Sequence, residues 1–300
     1  MNKNEKNTRC GFVSVIGMPN AGKSTLINAL VGQKITIVSS RVQTTRNRVL
    51  GIITERDTQM ILIDTPGIFD AKKTLERAMV GAAFDALDES DIVFHIVDAS
   101  MKSAPENNAR LIKRLPKNKP VFLILNKTDQ VKKPDLLKQA QALNESYDYT
   151  ATLMISALKE QGVKDIISTV EAYLPQGEWL FDEDQVTDMP MRLLAAEITR
   201  EKIFNRLYRE VPAATFVETE HWEEFDNGSV KINQIIYVQR DSQKPIILGK
   251  GGQQIKKIGQ EAREELERIM ERQVHLKLFV KVQKDWMEKP EMLRLMGLIE

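Results

Sequence analysis

The sequence predicts an α/β protein with a doubly wound, mostly parallel sheet, followed by a smaller α+β domain. Three observations carry this. Up to about residue 174, short apolar, β-branched runs alternate with stretches of helical periodicity, as expected of a parallel sheet with helices on both faces. A break rich in proline, glycine and acids, PQGEWLFDEDQVTDMP, then reads as a linker. Beyond it the order of elements changes. At 300 residues the chain is long for one core and suits two. The expected divisions are a polar, aperiodic start at 1–8, a first domain at 9–174, the linker at 175–190 and a second domain with a C-terminal helix at 191–300.

The elements follow in order. CGFVSVI is a strand buried on both faces, and AGKSTLINALV repeats its apolar residues at helical spacing. RVLGIIT and QMILIDT, with ERDT between them, form a hairpin that contributes one antiparallel strand. LERAMVGAAFDAL, NARLIKRL, DLLKQAQALNE and VKDIISTVEAYL read as helices, and DIVFHIVDA, PVFLILN and ATLMISA as strands. In the second domain RLLAAEITREKIFNRL is a helix. AATFVETEHWEEF and VKINQIIYVQR are strands around a DNGS turn, QQIKKIGQEAREELERIMER is a long amphipathic helix, and QVHLKLFVKVQ alternates strictly as a strand. The segment PIIL before GKGG is expected to be a strand.

Composition narrows the class. No apolar run is long enough to span a bilayer, and the start does not read as a signal peptide. The single cysteine, Cys10, excludes an internal disulfide framework, fits a reducing cytosol and is expected to be a buried structural thiol. The three histidines, His95, His221 and His275, have no zinc spacing. Net charge is +1, but residues 1–175 carry 24 basic and 19 acidic groups and residues 176–300 carry 19 and 23. If the second domain binds a polyanion, it must use a local basic surface. Lys244, Lys250, Lys256 and Lys257 supply one, with no acid between Asp241 and Glu261.

Residues 17–24, GMPNAGKS, have the spacing G-x-x-x-x-G-K-S, a P-loop. By chance it arises on the order of once in a hundred chains of this length. Gly17 and Gly22 let the backbone turn so that the amides of Met18, Pro19's neighbours, Asn20 and Ala21 can face a polyphosphate. The helix start at Lys23, Ser24 and Thr25 adds its positive dipole end. Lys23 would bridge the β- and γ-phosphates, and the Ser24 hydroxyl would ligate Mg²⁺. A second anchor for the ion is Asp64, at the end of an apolar run and followed by Thr65, Pro66 and Gly67. The Gly67 amide is placed to meet the γ-phosphate and to swing when it leaves.

PVFLILNKTD ends a further strand with Asn126, Lys127, Thr128 and Asp129. A carboxylate at 129 can accept from N1–H and the exocyclic amine of guanine, whereas adenine would leave it unpaired, at a cost on the order of 1–3 kcal/mol. Asn126 would tie this loop to the P-loop, and the aliphatic stem of Lys127 would cover the base. In ATLMISAL the Ala157 amide is expected to donate to the guanine carbonyl, with Ser156 supporting the turn.

Gly249-Lys250-Gly251-Gly252, with Gln253 opening the long helix, forms a G-x-x-G between apolar segments. The motif alone is common. With a lysine at its centre, Ile255 and Ile258 on one helix face and an αββαβ order, it reads as the clamp of a KH domain, which admits the backbone of single-stranded RNA.

P-loop, DTPG, NKTD and SA in this order resemble the small GTPases of the translation-factor class. QTTRNR before the hairpin is similar to the switch segment of the Era family, and LGKGG with its following helix extends the resemblance over both domains. It implies a P-loop GTPase domain and a type II KH domain. It also implies that Thr45 closes on Mg²⁺ in the GTP state, with Thr44 beside it an open alternative. Many GTPases have a glutamine after the DTPG glycine to orient water; here stands Ile68. Similar proteins use K⁺ held partly by a P-loop asparagine, a place Asn20 occupies, so Asn20, Lys23, Thr45 and Gly67 are the expected catalytic set and hydrolysis is expected to be slow. Asn20 satisfying a turn is the plainer reading. The resemblance further implies a cytoplasmic, monomeric protein that binds the 3′ region of small-subunit rRNA during subunit assembly and touches the inner face of the plasma membrane peripherally. Trp286, Met287 and Leu293 would dock on lipid or, the favoured reading, complete the second core. The rivals are an ATP-dependent small-molecule kinase, against which NKTD argues, and a nucleotide-regulated membrane or protein scaffold without RNA specificity.

Overall fold

The computed structural model describes residues 8–39, 48–67, 74–208, 210–296 and 298. The chain divides into two compact units, one built mainly from the residues up to Asp188 and one mainly from Met189–Leu293.

The first unit is a six-stranded sheet. Its strands are β1 (Arg9–Gly17), β2 (Val49–Glu55), β3 (Thr58–Asp64), β4 (Ile92–Asp98), β5 (Val121–Asn126) and β6 (Ala151–Met154), in the order β2-β3-β1-β4-β5-β6. Only β2 runs antiparallel to its neighbour, through the hairpin to β3. Helices α1 (Lys23–Val31), α2 (Thr74–Glu89), α3 (Ala104–Ile112) and α4 (Lys133–Ser146) connect strands, and α5 (Lys164–Val170) follows the last. In β3 and β5 every residue is buried, which is why these strands read as unbroken apolar runs instead of alternating. Leu111, Ile112, Leu136 and Leu143 pack with Val93, Val97, Leu123 and Leu125 on one core.

The expected linker is packed for much of its length. Trp179 and Phe181 sit against the cluster of Cys10, Leu50, Ile61 and Ile63. The Ile52 amide donates to Val186 O (2.9 Å) and the Leu50 amide to Asp188 Oδ1 (3.0 Å). Two aromatic anchors inside an otherwise polar string draw residues 175–188 onto the edge of the sheet, capping the otherwise open side of β2.

The second unit carries α6 (Met191–Arg206), β7 (Thr215–Glu224), β8 (Val230–Val238), α7 (Lys244–Leu248), α8 (Gln253–Met270), β9 (Val274–Val282) and α9 (Pro290–Leu295). β8 is central, antiparallel to β7 and parallel to β9. A parallel pair needs a crossover, which α7 and α8 provide. Ile258 is fully buried, and Ile255, Leu278 and Val280 pack against the cluster to which it belongs. PIIL corrects the expected strand: it lies in helix α7, with Pro245 in the first turn, where a fixed φ and a missing N–H cost nothing. Trp286, Met287 and Leu293 are buried, and Trp286 Nε1 donates to Ala214 O (3.1 Å). These side chains complete the core and do not form a lipid-facing surface. Among the described residues no helix is long and apolar enough to cross a membrane.

One buried polar network has a measurable consequence. His95 on β4 is inaccessible, with Nδ1 2.7 Å from the Tyr149 hydroxyl and Nε2 3.0 Å from Asn108 Oδ1. Burial pushes its pKa from 6.5 down to about 4, opposed by the Asn108 bond. The folded state therefore holds a neutral imidazole that the unfolded chain protonates first. Its contribution is complete above pH about 6.5 and drains away towards pH 4, amounting to on the order of 3 kcal/mol. Urea midpoints of the protein and of His95→Gln should converge across that window; parallel slopes would exclude this origin.

Candidate functional site

The phosphate loop is shaped by what its backbone excludes. A Cβ at Gly17 would lie 2.4 Å from Ile96 O, and one at Gly22 2.2 Å from Asn126 Nδ2. Gly22 has φ +97° and caps α1 without a side-chain hydrogen bond, which leaves the first amides of α1 for an anion. Asn20 is exposed with φ 63°, the left-handed region that asparagine tolerates better than most residues. Lys23 Nζ donates to Gly17 O (3.3 Å) and Met18 O (3.2 Å), and the Ala21 amide bonds back to Met18 O (3.3 Å). Burial pushes the Lys23 pKa down to about 8, with Asp64 acting the other way.

Ser24 Oγ donates to Asp64 Oδ2 over 3.0 Å, and Asp64 is fully buried at the end of β3. A hydroxyl and a carboxylate beside a phosphate loop are the hard oxygen donors that suit Mg²⁺. When bound, this ion neutralises charge on the phosphates. Thr65 Oγ1 donates to Val15 O (2.8 Å), pinning the next residue to β1. Pro66 is buried, and a Cβ on Gly67 would meet Pro19 at 3.1 Å, so the DTPG turn lies against the phosphate loop. Thr44, Thr45 and Ile68 lie outside the described residues. Thr25 follows on the first turn of α1.

Asn126 joins three loops. Its Nδ2 donates to Ala21 O and its Oδ1 accepts from the Ala157 amide, each at 2.9 Å. The Ala157 amide, expected to meet the guanine carbonyl, here donates to Asn126. The Thr128 amide bonds Ile155 O (3.1 Å), and Ser156 Oγ accepts from the Lys159 amide (3.2 Å). Asp129 is exposed on this rim. Lys127 has φ 64° and its Nζ donates to Asp98 Oδ2 at 2.6 Å. Sequence reasoning missed Asp98. The signal was there, an acid ending the apolar run DIVFHIVD just as Asp64 ends QMILID.

Known families match both units. A model described as 50S ribosome-binding GTPase matches residues 12–127, and one described as KH domain matches 210–287. The chain is 50% identical over 291 residues to GTPase Era of Afipia carboxidovorans, spanning 97% of this chain and 94% of that one. GTPase Era of Sinorhizobium medicae gives the same values. The chain belongs to the Era family of GTPases.

It is therefore an Era-family GTPase, and the kinase reading is set aside. Two solved Era structures superpose with a TM-score of 0.92. One is an Aquifex aeolicus Era variant bound to GDP and AlF4⁻, with 39% identity, covering 98% of this chain and 100% of that one. The other is Era in complex with MgGDPNP and nucleotides 1506–1542 of 16S ribosomal RNA, with 40% identity and the same coverage.

In the KH unit of this Era-family chain, Gly249, Gly251 and Gly252 have φ of 71°, 59° and 74°. A Cβ at Gly249 would lie 2.5 Å from Gln254 Cβ, so the chain passes closely there and glycine is required. Gly252 precedes α8 with no side-chain cap. Lys244, Lys250, Gln253, Lys256 and Lys257 are all exposed.

The lowered Lys23 pKa has a sign that can be read. A bound polyphosphate favours the ammonium, while the free protein loses that proton near pH 8. Affinity for GDP should fall as pH rises beyond 8, by up to about tenfold per unit, with proton uptake visible as buffer-dependent calorimetric heats. An affinity and heat independent of pH and buffer there would refute this.

Proposed function

We propose that this GTPase binds single-stranded RNA from the 3′ region of small-subunit rRNA through the 249–252 turn, and assists small-subunit assembly. One observation carries the reading: three neighbouring glycines with positive φ, Gly249, Gly251 and Gly252, lead into an uncapped helix inside an exposed lysine window. Such a turn lets an RNA backbone approach and places its phosphates at the positive end of α8. The relative solved with nucleotides of 16S ribosomal RNA supports the choice of RNA.

In this reading the nucleotide is GTP or GDP with Mg²⁺. Gly17 to Ser24 wrap the phosphates and Lys23 neutralises them. Ser24, Asp64 and Thr45 hold the ion, and Asp129 selects guanine. GTP orders the segment around Thr45 and the loop after Gly67, which biases how the RNA groove is presented. Since Ile68 cannot orient water, transition-state charge is met by Lys23, the Gly67 amide and K⁺ held by Asn20. In support, the Asn20 amide is exposed and makes no hydrogen bond among the described residues. The protein acts as a monomer in the cytoplasm. The burial of Trp286, Met287 and Leu293 removes the sequence argument for the rival membrane scaffold, and any peripheral membrane contact uses another surface.

Lys250→Glu should weaken binding of a 3′ rRNA oligonucleotide at least about tenfold and lower the salt slope by about one. GTP turnover without RNA should stay the same. Undiminished RNA affinity would refute the clamp. Turnover in K⁺ should exceed that in Na⁺ severalfold, and Asn20→Ala should abolish the difference; equal rates remove K⁺ from the mechanism.

A further inference from the structure

We propose that Asp98 is a positioning residue for guanine recognition, acting through Lys127. The proposal rests on the reading that the Lys127 stem covers the base.

Asp98 closes β4 and sits in register with Asn126 of β5, and the Ala99 amide bonds Asn126 O at 3.0 Å. Both carboxylate oxygens of Asp98 are committed. Oδ1 accepts from the Ser100 amide (2.9 Å) and hydroxyl (2.5 Å), while Oδ2 accepts from Lys127 Nζ (2.6 Å). From α4, Gln139 Nε2 donates to Ala99 O (3.0 Å) and fixes the turn that aims the carboxylate. The acceptor is therefore rigid before the lysine arrives.

Lys127 needs such a partner. Its backbone is left-handed at φ 64°, and a four-carbon stem free in water samples many rotamers. Pinned at its tip, the stem is held in one course and loses little further freedom when a base slides beneath it. The pair is mostly sheltered, with side chains 28% and 13% exposed, unlike a surface pair whose partners drift. Asn126 and Asp98 thus divide the support of one loop: the first fixes its backbone against two neighbouring loops, the second fixes its covering side chain.

The test uses the full chain and a fluorescent GDP. Asp98→Asn, which keeps shape and removes charge, should weaken GDP about tenfold. It should raise KM for GTP similarly while kcat at saturation changes less than about twofold. The melting temperature of the nucleotide-free protein should stay put. In a Lys127→Met background, which retains most of the stem without the ammonium, adding Asp98→Asn should change nothing further. Ser100→Ala should give a smaller effect of the same sign, and serves if Asp98→Asn folds poorly. Wild-type affinity in Asp98→Asn, or an effect undiminished beside Lys127→Met, overturns the proposal. Lys127→Ala with unchanged affinity would instead sink the stem-over-base reading, and the proposal with it.

Discussion

Asn126 gives Nδ2 to the Ala21 carbonyl and takes the Ala157 amide on Oδ1, and these two bonds turn three loops from distant parts of the chain into one surface. The demand on the side chain is narrow. It must offer a donor and an acceptor from one planar group at the tip of β5, which an aspartate cannot do and a glutamine would overreach. The demand propagates. Gly22 must lack a Cβ because Asn126 Nδ2 occupies the place where that atom would stand. The absence of a side chain at 22 in turn leaves α1 without a cap, which suits it to an anion.

The two units meet the same problem with the same device. In each, glycines with positive φ lead into a helix that no side chain caps, a setting suited to phosphate: Gly22 before α1, and Gly249, Gly251 and Gly252 before α8. They differ in how charge is held. Lys23 is buried, which destabilises its ammonium although the group donates to the loop's own carbonyls. Lys250, Lys256 and Lys257 are exposed, solvated charges, an arrangement that suits a long polyanion held by many weak contacts.

What the sequence disclosed and what it withheld divide along a physical line. Constraints that live in the backbone were legible: the P-loop glycines, the hairpin between β2 and β3, the DNGS turn with Gly228 at φ 80°. Constraints that depend on what packs from elsewhere were not. PIIL has the composition of a strand, yet Pro245 and the turn before it start a helix. PQGEWLFDEDQVTDMP has the composition of a linker, yet Trp179 and Phe181 find an apolar groove beside Cys10 and Ile61. Nothing local to Ala157 announces that Asn126, 31 residues away, accepts from its amide.

The same division explains where the unforeseen residues gather. Recognition of the phosphates rests on main-chain amides, which need correct φ and ψ and little else, so the glycines announce it. Recognition of a base by the proposed Lys127 and Asp129 would rest on side chains, and a side chain needs its own support: Asp98 bonds Lys127, Ser100 bonds Asp98, and Gln139 bonds the turn that carries both. None of these three belongs to a motif, since what matters is only that each places one polar atom within bonding distance of the next. A site that reads phosphate through the backbone and base through side chains is therefore half written in short motifs and half in packing. It is the second half that decides how firmly the chosen purine is held.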